Sequence, residues 1–138
     1  MSGSRLSRIS VALLVAASLS AWSAIAVTAV DDAAYNTNCS STRICIYKNS
    51  NLTVPLAATC NTCNDADYTD DSYPNGAGNL NDSMTSAVNY KTSGKVLWYP
   101  NVFYDGTPFC LDHGIAALYV GSGFDNRASS HLSISGSC

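Results

Sequence analysis

Two six-residue stretches hold the side chains best suited to chemistry in this chain. Asn81-Asp82-Ser83-Met84-Thr85-Ser86 reappears as Asp125-Asn126-Arg127-Ala128-Ser129-Ser130. Each copy reads as two acid or amide residues, two variable residues and two hydroxyls. Carboxylate, amide, hydroxyl and carbonyl oxygens are what a hard cation such as Ca²⁺ takes, roughly six to eight at a time. The same side chains also bond nearby backbone and fix tight turns, so a structural role stands beside the cation-binding one. Each copy follows a large apolar residue, Leu80 or Phe124, and precedes a strand-like run. Two copies of one structural unit are therefore expected.

Other chemistries find little support. The histidines are His113, inside the turn-like Asp112-His113-Gly114, and His131. No G-x-S-x-G or H-E-x-x-H motif is present, so a catalytic role is not expected. Cys60 and Cys63 form a C-x-x-C, but a second pair at zinc-ligand spacing is missing. The acidic run Asp65 to Asp71 lacks the glycine and glutamate of an EF-hand loop and reads as a solvated loop. Trp98 lies in an apolar run and is expected in the core.

The elements that must position these residues follow an export signal. Arg5 and Arg8 precede a nearly all apolar or small stretch, Ile9 to Ile25, and small residues follow at 24–29. That is the layout of a secretory signal peptide over 1–29, with cleavage leaving no membrane segment. About 110 residues remain, enough for one domain. They carry five basic side chains against ten aspartates and no glutamate, a net of −5. Nucleic acid is therefore an unexpected partner, since it selects a basic stripe. All six cysteines, Cys39, Cys45, Cys60, Cys63, Cys110 and Cys138, fall after the signal. An even count in a small exported domain reads as a disulfide framework. Cys39 and Cys45 bracket the entry to the first strand and are the favoured pair.

Residues 30–42 read as a flexible N-terminus, and 43–138 as one domain. Short β-type runs follow at 44–47, 87–90, 96–99, 109–111, 115–120 and 131–134, separated by Gly, Asn, Asp, Ser and Pro. Such a pattern indicates an all-β sandwich or barrel. It divides into two halves, 43–90 and 95–135. The second half contains Tyr99-x4-Tyr104-x-Gly106, whose glycine supplies a positive φ. In the first half Tyr47 and Leu52 match, but Val54 replaces the glycine, so that turn must differ. The first half also holds an insertion around Cys60 to Gly78.

The paired hairpins and hexapeptides resemble the βγ-crystallin family, in which two Greek-key motifs form a sandwich. The resemblance implies two four-stranded sheets. It also implies two cation sites: one from Asp82, Thr85 and the Ser83 carbonyl, beside Asn81, the other from Asn126, Ser129 and the Arg127 carbonyl, with Asp125 assisting. Each site is completed by the other motif's hairpin, at a position that is often acidic. Lys48 and Pro100 stand there and supply no anionic oxygen, so Ca²⁺ binding should be weak. The opening Cys39-x5-Cys45-Ile46-Tyr47-Lys48-Asn49 in a small exported domain is similar to the bacterial secreted peptidase-inhibitor family typified by the Streptomyces metalloproteinase inhibitor. That similarity implies an extracellular monomer that blocks a secreted peptidase through an exposed loop. The insertion is the loop to suspect, because it breaks the repeat. A calcium-binding or purely structural extracellular module is the alternative.

Overall fold

In the computed structural model the described residues are 35–60 and 62–138. The signal-peptide segment 1–29 lies outside them. Seven strands run in chain order: β1 Arg43–Tyr47, β2 Leu56–Cys60, β3 Ser86–Asn89, β4 Lys95–Tyr99, β5 Phe109–Asp112, β6 Ile115–Ala117 and β7 Ser130–Ile134. A 3₁₀ turn, Val102–Tyr104, follows β4. One antiparallel sheet has the order β2-β1-β3-β6, the other β5-β4-β7. Among the described residues no helix is long and apolar enough to cross a membrane.

Alternation along the strands builds the core. In β1, Ile44 and Ile46 face the other sheet, while Cys45 and Tyr47 face outward, consistent with the two-residue period of a strand. Across the sandwich they meet Val96 and Trp98 of β4 and Leu111 of β5. Leu80, Met84 and Ala128 of the hexapeptide region close the same cluster. The outer face of β1 is covered in turn by Leu52, Leu56 and Cys39. Cys39 is bonded to Cys45 within β1, the pair favoured because the two bracket the entry to that strand. The remaining disulfides are Cys60–Cys63 and Cys110–Cys138. The last ties β5 to the final residue of the chain.

The two halves exchange strands. β6 belongs to the second half but pairs with β3 of the first, Ala87 opposite Ala117 and Asn89 opposite Ile115. The reciprocal element is Asp65, which bridges His131 of β7. Two backbone bonds, Asp65 N to His131 O at 3.0 Å and His131 N to Asp65 O at 2.7 Å, make that contact. The second sheet thus has three strands and a single bridge where the resemblance implied four. The physical reason is the run of aspartates. Asp65 Oδ1 accepts from Asp67 N at 3.0 Å, and Asp67 Oδ1 accepts from Thr69 N at 2.9 Å. These side-chain turns compete with a ladder for the same backbone groups.

Two further expectations are corrected. Residues 35–42 are tied down rather than loose: Asn36 bridges Ala58 of β2, and the Tyr35 hydroxyl donates to Asp65 Oδ2 at 2.7 Å. The acidic run is only partly solvated, because Asp65 and Asp71 are buried within it. The corner of the first hairpin also differs from the second, as Val54 requires. Gly106 turns at φ 90°, whereas the first corner passes through a cis Val54–Pro55 peptide bond.

Candidate metal centre

The hexapeptides form two facing loops joined by reciprocal backbone hydrogen bonds. Their second residues, Asp82 at φ 52° and Asn126 at φ 55°, occupy the left-handed region. Aspartate and asparagine tolerate that region better than other non-glycine residues. Asp82 N donates to Ala128 O at 2.9 Å, and Asn126 N donates to Met84 O at 3.0 Å. Each loop is thereby stitched to the other, with Met84 and Ala128 pointing into the core.

The last serines serve the fold. Ser86 Oγ donates to Asn49 O at 2.6 Å and accepts from Leu52 N at 3.1 Å. Ser130 Oγ donates to Asn101 O at 2.7 Å and accepts from Tyr104 N at 3.1 Å. Each serine therefore holds a hairpin whose tip uses two left-handed residues, Asn51 and Leu52 or Phe103 and Tyr104.

The fifth-position hydroxyls reach across. Ser129 Oγ lies 3.2 Å from Asp82 Oδ1 and 3.1 Å from Pro100 O. Thr85 Oγ1 donates to Asp125 Oδ1 at 2.7 Å. The side-chain hydrogen bonds are thus crossed, pairing Asp82 with Ser129 and Asp125 with Thr85, where the sequence-based cation grouping set Asp82 with Thr85 and Asn126 with Ser129. The cause is the stitching, which lays the start of one loop against the end of the other. Ser83 turns inward: its hydroxyl donates to Leu80 O at 2.6 Å and contacts Tyr73 Oη at 3.0 Å. The Tyr73 hydroxyl also approaches Ser83 O, at 3.5 Å, so that carbonyl does not join Asp82 unencumbered. Arg127 sends its guanidinium to Gly123 O at 3.0 Å.

The first cluster is rich in oxygen and short of protons. Ser129 has one hydroxyl proton for two acceptors, Asp82 Oδ1 and Pro100 O. Asn81 Nδ2 donates to Asp82 Oδ2 at 3.0 Å, while Asn81 Oδ1 is buried without a hydrogen-bond partner among the described residues. A buried carbonyl oxygen left unpaired costs roughly 1–3 kcal/mol, and a cation would satisfy it. The second cluster is a paired acid and hydroxyl, with no such orphan. Lys48 does not intrude, because its Nζ is committed to Ala77 O at 2.9 Å. Among the described residues no group of three or more His, Cys, Asp or Glu side chains could hold a metal. Any cation here must draw on amide, hydroxyl and backbone oxygens beside the single carboxylate of Asp82.

A second polar cluster lies in the core, unmarked by any local motif. His131 Nε2 faces Cys63 O at 3.1 Å and must donate to it, leaving Nδ1 to accept from the Tyr68 hydroxyl at 2.7 Å. Burial holds the imidazole neutral and lowers its pKa from 6.5 to about 4; nearby Lys91 adds to the effect, while Asp65 and the Cys63 carbonyl oppose it. Tyr68 and Tyr35 are both pushed well above 10, chiefly by burial. This network locks the insertion against β7. It fills no cleft and offers no bond-making arrangement.

Comparison with solved structures decides the architecture. A βγ-crystallin from an archaeon superposes with a TM-score of 0.51 at 22% identity, over 69% of this chain and all of that one. The fold is that of a βγ-crystallin domain. A structure described under the evolution of the eye-lens βγ-crystallin domain fold superposes with a TM-score of 0.55 at 16% identity, covering 70% and 89% of the two chains. A βγ-crystallin from Ciona intestinalis gives 0.50 at 17%, covering 65% and 96%. No family model and no curated protein matches the sequence. On the βγ-crystallin frame, the hexapeptide loops lie side by side between the two Greek keys, and β6 and Asp65 are the exchanged outer elements.

Proposed function

We propose that this protein is an exported, monomeric, non-catalytic module in which the first loop cluster binds Ca²⁺ and thereby strengthens the joint between the two motifs. Two observations on residues flanking Asp82 support this reading: Ser129 Oγ has one proton for Asp82 Oδ1 and Pro100 O, and Asn81, whose amide nitrogen donates to Asp82, keeps an orphan buried Oδ1. The three disulfides fit an extracellular setting. With one carboxylate in the set, affinity falls at the weak end of the range for extracellular modules, on the order of 10⁻⁴–10⁻³ M. Calorimetric titration of chelator-treated protein, with thermal melts in Ca²⁺ and in Mg²⁺, tests it. Saturable Ca²⁺ heat and a raised melting temperature are expected, because a ligand of the native state stabilises it. Absence of both would leave the loops a structural role alone.

Inhibition of a secreted peptidase is the second reading, and one observation favours it. Val54 is 63% exposed on a turn pinned by Asn49 Nδ2 to Val54 O at 2.8 Å and by Lys48 N to Pro55 O at 3.1 Å. A preordered exposed side chain lowers the ordering cost of docking in a cleft. The insertion is a poor candidate for this role, since Tyr68 and Tyr73 sink into the core. Assays against thermolysin-like and subtilisin-like peptidases decide the matter; no inhibition at micromolar protein rejects it.

A further inference from the structure

Beside the second hexapeptide lies an open groove of about 610 Å³. Phe109 and Phe124 lie along it with centroids 5.7 Å apart and planes inclined at 34°, and Pro100 and Pro108 are among its walls. Trp98 backs Phe109 at 6.1 Å, so the rings are held by the core rather than loose on the surface. Arg127 lines the same groove. Its guanidinium spends one donor on Gly123 O and makes no other hydrogen bond among the described residues. The carboxylates of Asp125, Asp112 and Asp105 each accept a hydrogen bond elsewhere, from Thr85 Oγ1, Cys138 N and Asn101 Nδ2. A guanidinium offers five donors in a planar fork matched to carboxylate oxygens.

We propose that this groove binds a small aromatic carboxylate, the ring stacked against Phe109 and Phe124 and the carboxylate held by Arg127. Size and chemistry both select that class. The volume lies in the range of small-molecule sites, which pair an apolar lining with a few placed polar groups. Aromatic rings prefer offset or edge contacts with other rings, and the inclined phenylalanines present such surfaces. Charge complementarity fixes the other end of the ligand: this arginine is a cation with donors to spare in a chain of net charge −3. Pro100 belongs to both this groove and the cation cluster, as a wall here and through its carbonyl there, but Arg127 enters only here, through its side chain.

Titration with 3-phenylpropionate in chelator-containing buffer, followed by the backbone amide NMR shifts of Thr107, Gly123 and Arg127, tests the groove. Saturable shifts with a dissociation constant on the order of 1 mM are expected for a ligand of this size in an open site. The uncharged 3-phenylpropionamide and the variant R127Q should each weaken binding by about tenfold, the loss expected when a charge-assisted hydrogen bond is removed. R43Q, on β1, should leave it unchanged. Equal binding of acid and amide, or no saturation for the acid at about tenfold higher concentration, overturns the proposal. So does light scattering that shows dimers forming over the same protein range with the Gly123 shift, because a second copy would then occupy the groove.

Discussion

Lowering the pH should unfasten the core through His131 before it does so through most other groups. The imidazole is neutral in the folded protein, with a pKa of about 4 against 6.5 for the free side chain. A group whose folded pKa is depressed takes up a proton more readily when unfolded. Stability from this residue is therefore complete above pH 6.5, falls as the pH drops, and levels off below about 4. At 1.36 kcal/mol per pH unit, that gap corresponds to a loss of about 3 kcal/mol. The geometry explains the size: a second ring proton would meet the Tyr68 hydroxyl, which already donates to Nδ1, with Lys91 adding repulsion and Asp65 offering partial relief. Urea unfolding from pH 8 to pH 3.5 on wild type and on His131→Gln measures it. The variant should lose about 1–3 kcal/mol at pH 8, because Tyr68 loses a buried acceptor. It should then show a shallower decline between pH 6.5 and 4. The difference between the two curves reports the removal of the imidazole. Parallel curves over that window would refute the reasoning.

Other consequences can be checked with the same methods. Asp82→Asn should abolish most of the Ca²⁺-dependent rise in melting temperature, whereas Asp125→Asn should leave much of it, read by differential scanning calorimetry. Leu80→Ala, at a fully buried site, should cost about 2–5 kcal/mol in denaturant unfolding. Gly94→Ala should cost well over the roughly 1 kcal/mol of left-handed strain expected at Gly76→Ala: both turn at positive φ, but a methyl at Gly94 collides with the Ile134 carbonyl while Gly76 faces open space. Replacing Cys110 and Cys138 by serine should destabilise by about 2 kcal/mol more than replacing Cys60 and Cys63, because the first pair closes a 28-residue separation and the second one of 3.

Much of this architecture was legible in the chain because the hexapeptides impose conformation as well as chemistry. Asp82 and Asn126 take the left-handed turn, Ser86 and Ser130 clasp the hairpins, and Met84 and Ala128 fill the core. Six of the seven strands carry an Ile, Val or aromatic residue and stand out. β2, Leu56-Ala57-Ala58-Thr59-Cys60, does not; its two alanines have weak strand preference, Thr59 alone favours a strand, and pairing with β1 creates it. The crossed contacts were not legible, because residues adjacent in a loop were taken as neighbours in space, whereas Asp82 meets Ser129 of the other loop. The core network stayed hidden for a similar reason: His131 and Tyr68 are 63 residues apart. Nothing local marks either of them as paired.

The exchange of β6 and Asp65 between the sheets has a consequence for how the protein could have arisen and how it can be divided. Neither half is self-sufficient, since each leaves an outer edge that only the other half covers. A nick in the connection Thr92-Ser93-Gly94 would yield two fragments that complete one another like the halves of a split reporter. Two isolated copies of one half could do the same for each other, giving a homodimer. Duplication followed by fusion would then need only a short linker, after which an insertion such as 60–78 could accumulate in one copy while the other kept the shared frame.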